Sequence, residues 1–261
     1  MKKKSLSVVI LTRNEEKNIK RCLESVRFAD EIILIDDNST DQTVEIAKKF
    51  GAVIYLRALN FDFASQRIYG LEKAVGDWVF FVDADEVVTP ELAKEINLVV
   101  EKGSAKEAYY IKRRDFWWGR ELRQGEVRKV RNQGLIRLIK NKSGSWEGKV
   151  HEIFRSRGTI GRLNSYLNHY PHPTLKEFIE EVNSYSSIRA KELLLQGKET
   201  NTMEIVLYPF FKFMLNYFLC FGFLDGPPGF VYSFMMSFHS FLVRAKLYQY
   251  TKLDSRNTDD R

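Results

Sequence analysis

The chain has 261 residues, with 41 Lys+Arg against 34 Asp+Glu for a formal charge of +7, and is 44% hydrophobic and 29% charged. That length holds an α/β catalytic domain with an appendage, and the composition excludes a disordered or fibrous chain. The two cysteines, Cys22 and Cys220, are too far apart in sequence to suggest a disulfide framework or a metal cluster and point to a reducing compartment.

In chain order, three lysines precede an apolar run from Leu6 to Leu11. The run is too short for a signal peptide and leads into Thr12-Arg13-Asn14-Glu15-Glu16 without a small-residue cleavage site, so Ser5 to Thr12 reads as a cytoplasmic first strand. A helix is predicted over 15–26 from the spacing of Ile19, Leu23 and Val26. A strand at 31–36, a helix at 43–50, a strand at 52–56, a helix at 63–74 and a strand at 77–82 follow. Thr89-Pro90-Glu91 then opens another helix with a cap, a first-turn proline and an acid. This alternation predicts an α/β fold with a mostly parallel sheet covered on both faces.

Ligands of such sheets bind beyond the carboxyl ends of the strands. Three polar clusters fall there: Thr12-Arg13-Asn14-Glu15, Asp36 to Asp41, and Asp83-Ala84-Asp85-Glu86. Carboxylates alone at a strand mouth repel one another, and a hard divalent cation shared with a diphosphate relieves the conflict. Asp36 to Asp41 could also be an ordinary strand-to-helix turn, which explains Ser39, Thr40 and Asp41, whereas Asp36, still at the sheet's end, suits a base or ribose contact. There is no G-x-G-x-x-G or P-loop pattern, which disfavours a dehydrogenase or P-loop ATPase.

These motifs, Ser7 to Glu15, Ile35 to Thr43, and Gly76-Asp77-Trp78 leading into Val82-Asp83-Ala84-Asp85-Glu86, closely resemble family 2 glycosyltransferases of the GT-A nucleotide-sugar-binding fold. The resemblance implies a nucleotide-sugar site drawn from Thr12, Asn14, Glu15, Asp36, Asp37, Arg67, Asp83, Ala84 and Asp85. Thr12 and Asp36 would touch the base, Arg67 would support the nucleotide, and Asp83 and Asp85 would hold Mg²⁺ or Mn²⁺ on the diphosphate. Ile68 departs from the asparagine the family usually carries there. Past residue 100, Arg114 to Gly119, Ile136 to Lys140, Trp146 to Glu152 and Gly222 to Phe230 resemble the β-glucosyltransferases of lipopolysaccharide inner-core assembly. Inverting transfer needs a base for the acceptor hydroxyl. Glu152 is the first candidate and Glu147 the second, while His151 would ligate the metal or position the acceptor. The alternative for Glu152 is a pairing with a nearby arginine. Trp117 and Trp118 suit an acceptor platform, one of them core and one functional because strand neighbours face opposite ways, and Arg137 joins them in acceptor binding.

From Lys102 to Arg162 there are 17 Lys+Arg against six Asp+Glu, including Arg113, Arg114, Arg120, Arg123, Arg128, Lys129 and Arg131. They suit a phosphorylated acceptor or anionic lipid. A nucleic-acid-binding module built on residues 102–162 is the reading from another class, and no nucleic-acid motif supports it. Thr174 to about Gln196 predicts a long helix serving as a connector packed on the catalytic domain. Ile205 to Leu224 carries one charge, Lys212, and Gly229 to Val243 carries none. Pro209, Lys212 and Asn216 weaken a spanning reading, so a helical hairpin lying in or dipping into the membrane interface is expected.

The expected organisation is a GT-A domain at 1–170, a helical membrane-associated extension at 171–250 and a polar tail at 251–261. The expected activity is that of a metal-dependent hexosyltransferase moving glucose from UDP-glucose to a lipid-linked saccharide such as lipopolysaccharide core, peripheral or monotopic at the cytoplasmic membrane face. A polyprenyl-phosphate sugar synthase is the alternative within the same fold.

Overall fold

Uninterrupted apolar runs make strands that are buried on both faces, and β1 (Leu6–Thr12), β2 (Glu31–Asp36) and β4 (Trp78–Asp83) are of this kind, with β3 (Val53–Leu56) at the sheet edge. In this computed structural model the protein is described over residues 4–60, 62–148, 152–171 and 174–259, with side chains to residue 252. Three helices, α1 (Ile19–Ser25), α2 (Thr43–Lys49) and α3 (Phe63–Lys73), connect the four strands, which pair in parallel in the order β3-β2-β1-β4. Val8, Ile10 and Phe80 pack into the core on one face, and Val9, Ile33 and Phe81 into that on the other, as strand alternation requires.

The chain continues through β5 (Glu86–Val88), α4 (Pro90–Lys102), β6 (Ala108–Trp117), β7 (Arg120–Leu122), α5 (Val127–Gln133), β8 (Leu135–Lys140), β9 (Gly144–Glu147), β10 (Ile153–Ser156) and β11 (Ile160–His169). Thr89 caps α4 through Leu92 N, with Pro90 in its first turn as expected. Beyond β4 the sheet runs on as β8-β6-β11-β5, and the pairings β4–β8, β6–β8 and β11–β5 are antiparallel. The sheet is therefore mixed: the parallel arrangement holds over β1–β4 and ends there.

The chain forms two compact units. One holds the residues up to Arg114 and Lys129–Tyr170; the other holds Asp115–Arg128 and everything from Pro171. Besides the division after Tyr170, the excursion Asp115–Arg128 belongs to the second unit. Trp117, Leu122 and Val127 bury their apolar side chains with Phe178, Val182 and Met235. These last three lie on α6 (Leu175–Leu195) and α8 (Gly226–Asp259). The buried face of α6, read from sequence as a connector on the catalytic domain, packs with α8. α8 also runs through 251–259, where a separate polar tail was expected.

Between them α7 (Thr202–Phe213) continues as a π-helix over Met214–Leu219, followed by a 3₁₀ turn at Gly222–Asp225. Trp118 and Gly119 both have positive φ, +49° and +75°, and make the two-residue hairpin turn joining β6 to β7. Because the chain reverses at Trp118, the two indoles do not diverge as strand neighbours would. They stack, with centroids 4.3 Å apart.

Candidate functional site

Strand order reverses beside β1, since β2 and β3 lie on one side of it and β4 on the other. Open sheets form their ligand crevice at such a switch point. Register brings the three polar clusters together there: Thr12 pairs with Asp36, and Leu11 with Asp83.

The first two clusters spend most of their polar groups on each other. Asn14, at φ +54°, donates its N–H to Ser39 Oγ at 2.8 Å, while its Oδ1 accepts from Thr40 N at 2.8 Å. Glu15 N donates to Thr43 Oγ1 at 2.7 Å, and Arg13 pairs with Asp37 at 3.0 Å. The other Asp37 oxygen accepts from Leu59 N at 2.8 Å. Asp36, expected at the nucleotide base, is fully buried, and both its carboxylate oxygens accept from Ser39, one from the backbone and one from the hydroxyl. Its observed work is to hold the loop, because a carboxylate at a strand end meets the free N–H groups of the turn first. Thr12 differs: it is 7% exposed, and its Oγ1 is buried without a hydrogen-bond partner among the described residues.

The third cluster is a chain of opposite charges. Asp83 accepts from Arg137 Nη2 at 2.6 Å and from Arg67 Nη2 at 3.3 Å. Arg67 Nε reaches Glu152 Oε1 at 2.8 Å, and its guanidinium lies 5.2 Å from the centre of the Trp146 ring. Arg67 is carried by α3, which approaches β1 so closely at Gly70 that a Cβ there would stand 2.5 Å from Val9 Cγ1. Glu86, fully buried, fixes the turn by accepting from Asp83 N at 2.9 Å, while its other oxygen faces Arg137 at 3.0 Å and Arg113 at 3.6 Å. Asp85 Oδ2 lies 3.0 Å from His169 Nε2. The β5–β11 register delivers that histidine, with His169 opposite Glu86. Ala84, between the two aspartates, is buried.

Burial raises carboxyl pKa values, yet the guanidinium groups of Arg137 and Arg67 hold Asp83 well below the usual carboxylate range. Asp85 is likewise buried and is held low by His169. For Glu86 burial wins over Arg137, and its carboxyl is raised. Buried donors remain unused beside this network: Arg67 Nη1, Arg137 Nε and Arg137 Nη1 have no hydrogen-bond partner among the described residues. Leaving such groups unmatched costs about 1–3 kcal/mol each, and they gather at the strand mouth beside Asp83.

Several expectations change. Arg137, expected to contact acceptor, is 4% exposed and positions Asp83 and Glu86. Glu147 is an exposed residue of the β9–β10 ribbon, opposite Ile153 and paired with Arg155 at 3.2 Å, whereas Glu152 joins the acidic cluster through Arg67. His151 lies outside the described residues. Trp117 is 2% exposed and packs edge-on against Phe178, so only Trp118, 49% exposed, offers a ring face. The basic stretch is not one patch, because Arg113 and Arg137 turn into the acidic cluster while Lys112, Arg114 and Arg131 gather around the Tyr166 ring. Arg120 and Arg123 belong to the other unit.

Sequence reading missed the roles of Glu86, Arg113 and His169. Glu86 adjoins the aspartates and was readable as part of their turn. His169 sits 84 positions from Asp85, and only strand register joins them. Among the described residues no group of three or more His, Cys, Asp or Glu converges as a ready-made metal site.

The sequence profile of Glycosyl transferase family 2 matches residues 7–148. An uncharacterized glycosyltransferase of Rickettsia typhi is 32% identical, covering 97% of this chain and 90% of the relative. The lipopolysaccharide core biosynthesis glycosyltransferase LpsC of Rhizobium meliloti is 27% identical over 98% of this chain and 96% of its own. Among solved structures, TarS of S. aureus in complex with UDP-GlcNAc aligns with 95% of this chain and 92% of its own at 17% identity and a TM-score of 0.49.

Proposed function

As this chain belongs to glycosyl transferase family 2, we propose that it moves a hexose, glucose from UDP-glucose, to a lipid-anchored saccharide of the lipopolysaccharide-core kind. One observation carries the donor half of this reading: unused buried donors of Thr12, Arg67 and Arg137 accompany Asp83 and Asp85 at the switch point of the sheet. A nucleoside diphosphate offers the oxygens these donors lack. The acceptor half is supported by similarity to LpsC.

Glu152 takes the proton of the attacking acceptor hydroxyl. The hydroxyl oxygen bonds to the anomeric carbon from the face opposite the leaving group, as that carbon's bond to the diphosphate oxygen breaks and its electron pair departs with UDP. Arg67 joins the two halves of this chemistry, since one guanidinium holds both Glu152 and Asp83. Arg137 and Glu86 fix Asp83 from the buried side. Asp85, paired with His169, stands two residues from Asp83 on one turn, and carboxylate oxygens are the ligands Mg²⁺ and Mn²⁺ take. Asp85 and His169, with Asp83 adjoining, would hold the ion, which when bound supplies positive charge against the departing diphosphate.

The test is UDP release from UDP-glucose, UDP-galactose and UDP-GlcNAc, each offered with lipopolysaccharide core acceptor or with polyprenyl phosphate. UDP-glucose with core acceptor should be fastest. Turnover confined to polyprenyl phosphate would assign the alternative synthase, and absence of turnover with every UDP-sugar would remove the donor assignment.

A further inference from the structure

The second unit is inverted relative to a water-soluble domain in its stretch from Thr202 to Phe234. Its polar groups are turned inward and matched. Lys212, the charge that interrupts the apolar run, lies 2.9 Å from Glu126 Oε1, and Asn216, 4% exposed, donates to the other oxygen of Glu126 at 3.4 Å. Asp225, 5% exposed, accepts from Arg123 N at 2.9 Å and Gln124 N at 2.8 Å. Ser237 Oγ donates to the carbonyl of Pro209 at 2.6 Å. The short segment around residues 123–126 thus partners Lys212 and Asn216, two of the three residues that weaken a spanning reading in the sequence.

The outer side is apolar over an unusually wide arc. α7 has no buried residue, and Met203, Val206, Leu207, Tyr208, Phe210 and Phe211 are all exposed. At roughly 100° per residue these positions cover about 200° of the helix, twice the stripe that docking on one protein face needs. A helix apolar over so much of its circumference suits an apolar solvent better than a second copy of the chain. The chain then bends at Phe221, φ +60°, and the apex is again exposed and apolar through Phe218, Leu219, Phe221 and Leu224. No single helix among the described residues is long and apolar enough to cross a membrane, but Thr202–Leu219 and Gly222–Lys252, bent by 68°, reach that length and composition as a pair. We infer that residues 202–234 form a re-entrant hairpin that enters one leaflet of a phospholipid bilayer apex first, without crossing it.

The native cysteines make this testable in the full chain. Cys22 is fully buried and its thiol is pushed up by burial, whereas Cys220, at the apex, is partly exposed. A bimane fluorophore placed on Cys220 in a Cys22→Ser background should shift to the blue on addition of phosphatidylethanolamine–phosphatidylglycerol vesicles. Nitroxides on the acyl chains should quench it more than nitroxides on the headgroups. Phe218→Asp with Leu219→Asp, both exposed, should lower vesicle partitioning on the order of tenfold or more per site while thermal unfolding and UDP-glucose binding stay unchanged. That retained binding separates failure of the hairpin from failure of the donor site. An unshifted bimane still open to aqueous iodide on vesicles would overturn the inference. So would a vesicle-insensitive dimer cross-linked through Cys220, which would give the surface to a second copy. Labelling from both sides of sealed vesicles by impermeant reagents would replace re-entry with a span.

Discussion

Replacing Arg137 with methionine keeps much of the side-chain volume and removes the cation on which the acidic cluster depends. Its Nη2 stands 2.6 Å from Asp83 and 3.0 Å from Glu86, with Arg137 4% and Glu86 0% exposed by side chain. Without it, Glu86 keeps Arg113 at 3.6 Å, and Asp83 keeps Arg67 at 3.3 Å. Removing one partner of a buried ion pair costs about 3–5 kcal/mol, mainly because the remaining charge stays desolvated. Asp83 is 31% exposed by side chain and recovers some hydration, which favours the lower end, about 3 kcal/mol. For a unit of this size that is roughly 6–12 °C in Tm, read by calorimetry or circular dichroism. Adding Glu86→Gln removes one of the stranded charges, and the double variant should regain at least half of the loss. A single variant that melts within about 2 °C of the parent, or a double variant that melts lower than the single, would refute the view that Arg137 acts by neutralising this pair.

Gly70→Ala should force α3 off β1, because its Cβ meets Val9 at 2.5 Å; overpacking of this kind costs about 1–3 kcal/mol, and UDP-sugar affinity should fall with Arg67 displaced, as titration calorimetry would register. Glu152→Gln should lose on the order of 10²–10⁴ in transfer rate with donor affinity intact, whereas Glu147→Gln, on the exposed ribbon, should turn over like the parent; the reverse pattern would exchange their roles. Asp85→Asn and His169→Asn should each weaken Mn²⁺ binding measured by electron paramagnetic resonance, and a chelator should abolish transfer by the parent; undiminished Mn²⁺ binding in both variants would move the ion elsewhere.

The alternating strands and helices up to residue 100 and the strand-end positions of Thr12, Asp36 and Asp83 were legible in the sequence, because apolar periodicity and cap chemistry are local. One helix start was legible for the same reason, since Thr89 caps α4 as its cap chemistry announced, whereas the first helix, predicted over 15–26, spans Ile19–Ser25. The family, too, could be read from motifs that each occupy a few consecutive residues. What needed tertiary structure was every choice of partner. Asp36 and Asp83 are both strand-end aspartates, yet one is spent on Ser39 and the other is shared by two arginines. Arg137 and Arg123 are both arginines of one basic stretch, yet one is buried in the acidic cluster and the other is an exposed residue of the second unit. Alternation predicted opposed faces for Trp117 and Trp118, and one positive φ overturned it. His169 came to Asp85 by pairing between strands far apart in the chain. A charge is indifferent to sequence distance and responds to what lies within a few ångströms and to how much water remains there, and only the folded chain determines both.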